Sequence, residues 1–146
     1  MIDTQKIEEF LTSVDKLFPV PLSKKQNLKD FARKLNEKAT ICTACEDNKI
    51  VSMVAGYTED IVDNMAYISI VASLPNTQGR GYASSLVKKF IQICKEKTIN
   101  AIHLYTAKTN VVAIKMYRKL GFIEWKIPNE PRIDDLHLIY YIGEKQ

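Results

Sequence analysis

A chain of 146 residues with 46% apolar side chains has the size of one globular domain, and it can bury a core without disulfides or a structural metal. Its net charge of +4 suits a small anionic ligand and falls short of the basic load of a dedicated nucleic-acid-binding protein. The sequence has no long apolar run and its N-terminus is acidic and amphipathic, so we expect a soluble, cytoplasmic protein that does not enter a membrane.

The N-terminal quarter of the chain shows helical periodicity. Apolar residues recur at helical spacing from Ile7 to Leu17 until two prolines interrupt them, so a first helix should end near Phe18. Ser23 and Gln26 have the spacing of a capping box, which predicts the start of a second helix. The apolar stripe of this second helix consists of Leu28, Phe31, Ala32 and Leu35.

Three strand patterns follow the helices. Thr40 to Cys45 and Lys49 to Tyr57 are rich in β-branched and apolar residues, and the polar turn between them predicts an antiparallel hairpin. Ala66 to Ala72 forms the third pattern.

The cysteines favour packing over metal or redox chemistry. Cys42 and Cys45 make a lone C-x-x-C, but side chains three apart in a strand point to opposite faces, and no second Cys or His pair completes a zinc site. Cys94 has helical spacing with Phe90, which is typical of a core residue. We therefore predict no metal centre.

A basic, glycine-flanked stretch from Gln78 to Ala83 lies between the third strand and an amphipathic helix. The first turn of a helix leaves backbone amides without partners, and its dipole favours negative charge. Gly79 and Gly81 let a ligand approach the backbone, while Arg80 adds charge and Gln78 an amide donor. The stretch predicts a phosphorylated ligand, although two glycines can also be ordinary turn chemistry. It matches neither the P-loop nor the dinucleotide fingerprint.

The remaining patterns complete an α/β arrangement. The amphipathic helix ends before Asn100, and Ala101 to Thr106 is another strand, so strand, helix and strand form a βαβ unit with parallel strands. A helix over 110–120 should stop at Gly121, before strands near Phe122 to Lys126 and Leu136 to Ile142. Ligands of open α/β sheets bind at the carboxyl ends of parallel strands, where the glycine stretch lies.

Asn110 and Tyr117 fall on one face of the last helix, about two turns apart. Such a pair can flank one ligand. Taken singly, Asn110 is also explained as a helix N-cap and Tyr117 as a core aromatic residue.

Together, Q-x-x-G-x-A at 78–83, Asn110-x-x-Ala113-x-x-x-Tyr117 and the ending Leu120-Gly121-Phe122 resemble the GNAT superfamily of acyl-CoA N-acyltransferases. The resemblance covers roughly residues 40–141. It implies a single GNAT-like domain over residues 1–146 with a mixed sheet, and because the chain begins with a helical pattern, the family's usual first strand is expected to be absent or displaced. The strands ending near Ala72 and Thr106 would splay into a wedge for the pantetheine arm of acetyl-CoA.

The resemblance also implies roles for individual residues. Tyr117 would be the catalytic acid that protonates the departing thiolate, and a backbone amide near Ser73 would hold the oxyanion. The residues implied to bind the cofactor are Ala72, Ser73, Leu74, Gln78, Gly79, Arg80, Gly81, Tyr82, Ala83, Ser84 and Asn110.

The general base is open at this stage. The strand from Ala66 to Ala72 lacks the carboxylate that family members often place there. The candidates elsewhere are Glu59, Asp60, Asp63, His103, Glu124 and His137, beside a water relay or a self-ionising amine.

The acceptor would be bounded by the first two helices and by two loops, Tyr57 to Met65 and Ile127 to Asp135. Acidic residues there would suit a cationic amine; they are Glu59, Asp60, Asp63, Asp134 and Asp135. The expected function is acetyl transfer from acetyl-CoA to a primary amine, and the expected acceptor is a small molecule. A module that binds acyl-CoA for sensing or assembly without catalysis is the alternative, and a homodimer is left open.

Overall fold

The structure is a computed structural model, and it describes residues 3–143. The helices are α1 (Thr4–Val14), α2 (Leu22–Lys25), α3 (Leu28–Lys38), α4 (Tyr82–Glu96) and α5 (Val111–Leu120), with short 3-10 turns at Asp15–Leu17 and Pro75–Thr77. The strands are β1 (Thr40–Glu46), β2 (Lys49–Tyr57), β3 (Met65–Ser73), β4 (Ala101–Ala107), β5 (Ile123–Glu124) and β6 (Asp135–Tyr141). Within this range no helix is long and apolar enough to cross a bilayer.

The start of the second long helix differs from the prediction. Asn27 is the N-cap of α3, and its side chain accepts a hydrogen bond from the backbone N–H of Asp30 at 3.1 Å. Ser23 lies instead in α2, where its N–H and hydroxyl donate to the carboxylate of Asp15 at 2.8 and 2.6 Å. The capping box predicted at Ser23 and Gln26 is therefore wrong, because Asp15, eight residues upstream, takes up the groups that the box would have used.

Six strands of the described range form one mixed sheet in the order β1-β2-β3-β4-β6-β5. All neighbours are antiparallel except β3 and β4, which are parallel, as the βαβ pattern predicted. No strand precedes β1 within residues 3–143, so β1 lies at the sheet edge, in agreement with the expected loss of the first strand.

The strand predicted over Phe122 to Lys126 is shorter in the structure. The N–H of Phe122 donates to the carbonyl of Tyr117 at 3.0 Å, which closes the end of α5 after Gly121. Gly121 has a φ of +112°, the left-handed conformation predicted for this terminator. The strand β5 therefore begins at Ile123, because Phe122 completes the helix cap; Ile123 and Glu124 pair with β6, and the N–H of Trp125 donates to the carbonyl of His137 at 2.8 Å.

The parallel strands β3 and β4 pair over a short distance and then separate. Their paired residues run from Met65 opposite Ala101 to Tyr67 opposite His103. Past this point β3 continues along β2 and β4 continues along β6. The wedge is the gap that opens between residues 68–73 of β3 and residues 104–107 of β4.

A bulge in β3 changes which face its side chains occupy. Gly56 of β2 is opposite Ile68 and the preceding Ala55 is opposite Ile70, so Ser69 has no partner on β2. Ile68 packs in the core beneath α4, whereas Ile70 packs in the core beneath α1 and α3. The bulge thus lies inside the wedge, and beyond it the alternation of β3 side chains between the two faces of the sheet is shifted by one residue.

Two hydrophobic cores cover the two faces of the sheet, one under α4 and α5 and the other under α1 and α3. Gly56 marks the closest approach of α4 to the sheet, since a Cβ there would lie 2.8 Å from the Phe90 ring and 2.5 Å from the carbonyl of Tyr67. Cys42 is buried and Cys45 exposed, which confirms that they point to opposite faces, and Cys94 is buried in the core as predicted.

Candidate active site

The N-terminus of α4 is open at the mouth of the wedge. Gly79 and Gly81 have φ values of +85° and +82°, and a Cβ built on either would meet nothing within 4 Å. Gly81 is the N-cap of α4 and supplies no side-chain bond, so no side chain caps the first turn, which holds Tyr82, Ala83 and Ser84. Uncapped backbone amides at a helix N-terminus can receive an anion, and the phosphate contact of this loop stays a prediction.

The basic and aromatic side chains of this loop are tied to the end of β1. Nη1 of Arg80 lies 3.2 Å from Oε2 of Glu46, and the hydroxyl of Tyr82 donates to the same oxygen at 2.6 Å. This hydrogen bond, with some burial, raises the pKa of Tyr82. Glu46 was not among the predicted site residues. It holds both side chains of the loop without occupying the amides of α4.

The end of β3 is connected to the same loop. Nε2 of Gln78 donates to the carbonyl of Ser73 at 3.3 Å, and the Ser73 hydroxyl pairs with that of Ser52 at 2.7 Å. The carbonyl of Ala72 accepts a bond from Ser52 at 3.2 Å. The N–H of Leu74 donates to the carbonyl of Val51 at 2.8 Å. Cofactor contacts from Ala72, Ser73 and Leu74 stay a prediction.

Tyr117 of α5 is buried in the core that lies under α4 and α5. Asn110 is the N-cap of α5, its Oδ1 accepting from the N–H of Ala113 at 3.2 Å, so the capping role considered for it is real. Tyr117 is 5% exposed and packs edge-to-face on Phe122, with ring centroids 5.5 Å apart. Burial raises the pKa of Tyr117, which keeps its hydroxyl protonated at neutral pH.

A group of aromatic and imidazole rings covers the opposite face of the sheet at the closed end of the wedge. The His103 ring lies 5.0 Å from that of Tyr67 and 5.1 Å from that of His137. Tyr105 stacks on His137 at 4.1 Å, and Trp125 lies 4.8 Å from His137. The two histidines, which the sequence placed in separate strands, are therefore neighbours.

Glu130, which was not predicted, joins this group from the β5–β6 loop. Its carboxylate accepts from the hydroxyl of Tyr105 at 2.5 Å and contacts Nδ1 of His137 at 2.9 Å. Nδ1 of His103 lies 2.9 Å from Nε2 of His137. We call His103, Tyr105, Glu130 and His137 the histidine cluster. Its members come from two strands and a loop, so local sequence patterns gave no sign of it.

The other base candidates lie apart from this cluster. Glu59 is paired with Nζ of Lys97 at 2.5 Å. Asp60 and Asp63 are exposed turn residues with positive φ, and Glu124 is exposed on β5. The acidic residues of the second acceptor loop are also surface residues; Asp135 lies 3.6 Å from Arg132 and Asp134 is exposed. Of the predicted candidates, the structure brings together only the two histidines.

A cavity of about 730 Å³ lies elsewhere, along α1 and α3, and it meets the predicted site only at Leu74. The wedge itself is an open cleft between strands. We place the candidate site at the wedge because the open N-terminus of α4 follows the separated end of β3, and the histidine cluster lies at the last pair of residues that joins β3 to β4.

A mixed sheet whose parallel strands separate beside an open helix N-terminus belongs to the class of open α/β folds, in which ligands bind at the carboxyl ends of the strands. The profile of the Acetyltransferase (GNAT) family matches residues 7–122. The chain therefore belongs to the GNAT acetyltransferase family, as the sequence motifs suggested.

Among curated proteins, the chain is similar to the mycothiol acetyltransferase of Arthrobacter sp. (strain FB24), with 34% identity over 58 residues. This match covers 40% of the chain and 18% of that protein, so the chain spans about a fifth of the relative's length.

Solved structures share the fold over nearly the whole chain. A GNAT family acetyltransferase from Staphylococcus aureus Mu50 superposes with a TM-score of 0.77 at 20% identity, covering 96% of this chain and 93% of that one. The PaiA N-acetyltransferase of Thermoplasma acidophilum, solved in complex with coenzyme A, has a TM-score of 0.74 at 16% identity, with coverages of 95% and 92%.

Proposed function

We propose that this chain is a single-domain N-acetyltransferase that moves an acetyl group from acetyl-CoA to a primary amine. The observation that carries the proposal is the wedge between β3 and β4, which has the open N-terminus of α4 at its mouth. Membership of the GNAT acetyltransferase family supports the reaction class. The coenzyme A complex of the structurally similar PaiA protein supports the donor.

The residues around the wedge fit coenzyme A. The amides of Tyr82, Ala83 and Ser84, with Gly79 and Gly81, would receive the pyrophosphate, because positive-φ glycines leave this backbone uncovered. The pantetheine arm would lie along the separated part of β3, where polar backbone groups face the gap.

The chemistry is direct attack of the amine nitrogen on the thioester carbonyl. The C–N bond forms while the carbonyl electrons move to oxygen, and the C–S bond then breaks with its electron pair going to sulfur. Tyr117 would give its proton to that sulfur. The N–H of Ser69 is a better candidate for the oxyanion than an amide near Ser73, because the bulge leaves Ser69 without a partner on β2.

The acceptor is tested with a panel of amines incubated with acetyl-CoA while free thiol is measured. The panel pairs amines of pKa near 8, such as a peptide α-amino group and an amino sugar, with amines of pKa near 10, such as a polyamine and a lysine side chain. We expect thiol release confined to one class of small amine, which would name the substrate.

The alternative is an acyl-CoA-binding module that transfers nothing. Coenzyme A binding, measured by calorimetry, separates the outcomes. Tight binding without thiol release across the whole panel would contradict the enzyme and favour the binding module. Peptide acetylation without release from any small amine would move the acceptor class to proteins.

A further inference from the structure

The histidine cluster lies where an acceptor amine would approach the wedge. Ile102 and Leu104 of β4 point into the core beneath α4. Successive side chains of a strand alternate between its two faces, so His103 and Tyr105 point to the opposite face of the sheet. His103 is also the last residue of β4 that pairs with β3. It therefore stands at the closed end of the wedge, on the face that α4 and α5 leave free.

The hydrogen-bond chain fixes the proton positions on both rings. Bonds from Tyr105 and His137 outweigh burial and lower the pKa of Glu130, so its side chain is a carboxylate that can only accept. The contact at 2.9 Å is then a bond donated by Nδ1–H of His137. In a neutral imidazole this leaves Nε2 of His137 as an acceptor, and Nδ1–H of His103 donates to it at 2.9 Å.

The hydrogen bonds from His103 through His137 to Glu130 leave one ring nitrogen of His103 with a free lone pair. With its proton on Nδ1, neutral His103 carries an unprotonated Nε2. The two ring nitrogens of an imidazole point in nearly opposite directions, and His103 lies between His137 at 5.1 Å and Tyr67 at 5.0 Å. Nε2 therefore faces β3, across the closed end of the wedge.

We propose that Nε2 of His103 is the general base that takes a proton from the acceptor amine, and that His137 and Glu130 are positioning residues that fix its tautomer. This inference rests on the proposed acetyl transfer. The ammonium nitrogen loses two protons overall. One passes to Nε2 of His103 and then to solvent, and the second balances the proton that Tyr117 gives to the sulfur.

The charge produced on His103 can be stabilised within the cluster. When Nε2 takes a proton, Nδ1–H can move towards Nε2 of His137, whose own Nδ1–H lies against the Glu130 carboxylate. A positive charge thus reaches a negative one through two hydrogen bonds, an arrangement similar in logic to a nucleophile-activating triad.

The groups around His103 keep it neutral at physiological pH. Burial and the neighbouring His137 lower the pKa of His103, and the Glu130 carboxylate opposes them. The other titratable groups facing this part of the sheet are Tyr67 from β3, Tyr105 from β4, Asp135 from β6, Tyr57 from β2 and Arg132 from the β5–β6 loop. A base of this kind matches an amine of pKa near 8 better than one near 10.

Nuclear magnetic resonance tests the tautomers independently of activity. The sequence contains two histidines, so an untagged, ¹⁵N-labelled protein gives two sets of imidazole signals that single substitutions assign. At pH 7.5 we expect the His103 ring to be neutral with its proton on Nδ1 and the His137 ring to carry a proton on Nδ1, and we expect His103 to titrate below 6.5. A proton on Nε2 of His103 would overturn the proposal.

Kinetics then test the base. His103→Gln should lower kcat by about 100-fold with little change in coenzyme A affinity. Retained coenzyme A binding would also show that the variant is folded. Added imidazole should restore part of the rate of His103→Ala.

Glu130→Gln tests the positioning role. It should lower kcat and move the acidic limb of the kcat profile to lower pH, because the carboxylate raises the pKa of His103. Glu96→Gln, exposed at the end of α4, is the matched control.

The two proposals fail in different ways. Full turnover in His103→Gln by an active wild-type protein would sink the base assignment and leave acetyl transfer standing. An acidic limb that does not move in Glu130→Gln would remove the positioning role. A wild-type protein that binds coenzyme A and acetylates no amine would instead contradict the proposed function.

Discussion

Tyr117, the residue that we propose as proton donor, lies on a helix whose two ends are both closed by its own sequence. Asn110 caps the first turn and Gly121 ends the last one. Between them, Tyr117 is the buried residue of α5, and burial raises its pKa. A phenol with a raised pKa stays protonated at neutral pH, so it can act as a proton donor and not as a base.

Tyr117→Phe tests that role. We expect kcat for acetyl transfer to fall by about 100-fold while the affinity for acetyl-CoA changes little, because the substitution removes the proton donor and keeps the ring that packs on Phe122. Steady-state rates and calorimetric binding measure the two quantities. Tyr140→Phe is a matched control, since Tyr140 packs on the other side of Phe122 at 5.4 Å. Equal turnover in Tyr117→Phe and wild type would remove the assignment.

At the scale of residues, the sequence predicted what local spacing can carry. Asn110 and Tyr117 lie two turns apart on one helix, and Gly79 to Ser84 are consecutive, so a short motif describes them. Glu46 and Glu130 could not be found in this way. Glu46 is 34 residues from Arg80, and Glu130 is 25 residues from Tyr105, so only the folded sheet brings these groups together.

At the scale of elements, the loop before α4 combines two left-handed glycines with an uncapped helix N-terminus. The side chains of Arg80 and Tyr82 are drawn back to Glu46, away from the amides. The side chains of the loop are therefore held by Glu46, and the surface that we propose for the pyrophosphate is made of backbone. Substitutions that add a side chain at Gly81 should affect a ligand that approaches this backbone closely.

Gly81→Ala and Gly81→Asn separate strain from ligand contact. Alanine at a φ of +82° should lower the free energy of unfolding by about 1 kcal/mol, whereas asparagine tolerates this conformation and should cost less. Both should weaken coenzyme A binding, because a side chain would project into the space that the glycine leaves open. Urea unfolding and calorimetry measure the two effects. Wild-type affinity in both variants would show that the cofactor does not approach Gly81.

Boundaries of elements were predicted less well than their order. The hairpin, the parallel βαβ unit and the helix ended by Gly121 follow from local patterns, and the structure confirms them. The start of α3 and the length of β5 depend on competing partners. Ser23 binds Asp15, and Phe122 binds the end of α5, so each residue is used in a contact that its own neighbourhood does not specify.

At the scale of the whole molecule, the shifted pKa values make stability depend on pH. Acidification protonates His103 in the unfolded chain near 6.5 but in the folded protein only at lower pH, so stability falls as pH drops below 6.5. The lowered pKa of Glu130 adds a second loss below 4.5. At alkaline pH the raised pKa of Tyr117 makes stability fall as pH rises. The tyrosine ionises near pH 10 in the unfolded chain but only at higher pH in the folded protein.

We therefore expect the urea midpoint to be highest between about pH 7 and 9 and to fall continuously from pH 7 to 5. His103→Gln should flatten the part of this curve between pH 6.5 and 5, because it removes the titrating imidazole. Fluorescence-monitored unfolding at half-unit pH intervals gives both curves. A midpoint that rises on acidification in the wild-type protein would contradict the sign of the His103 shift.

The unpaired Ser69 also affects the order in which the chain can assemble. The bulge at Ser69 directs Ile70 towards α1 and α3, so β3 contributes to the core beneath these helices. Every residue of that core lies between Ile7 and Leu74. All residues of this core are therefore synthesised before α4, and N-terminal units of a protein can fold while synthesis continues. We expect the layer of α1 and α3 to form first on the nascent chain. The wedge, which needs β4, α5 and β6, would be completed only after β6 has emerged.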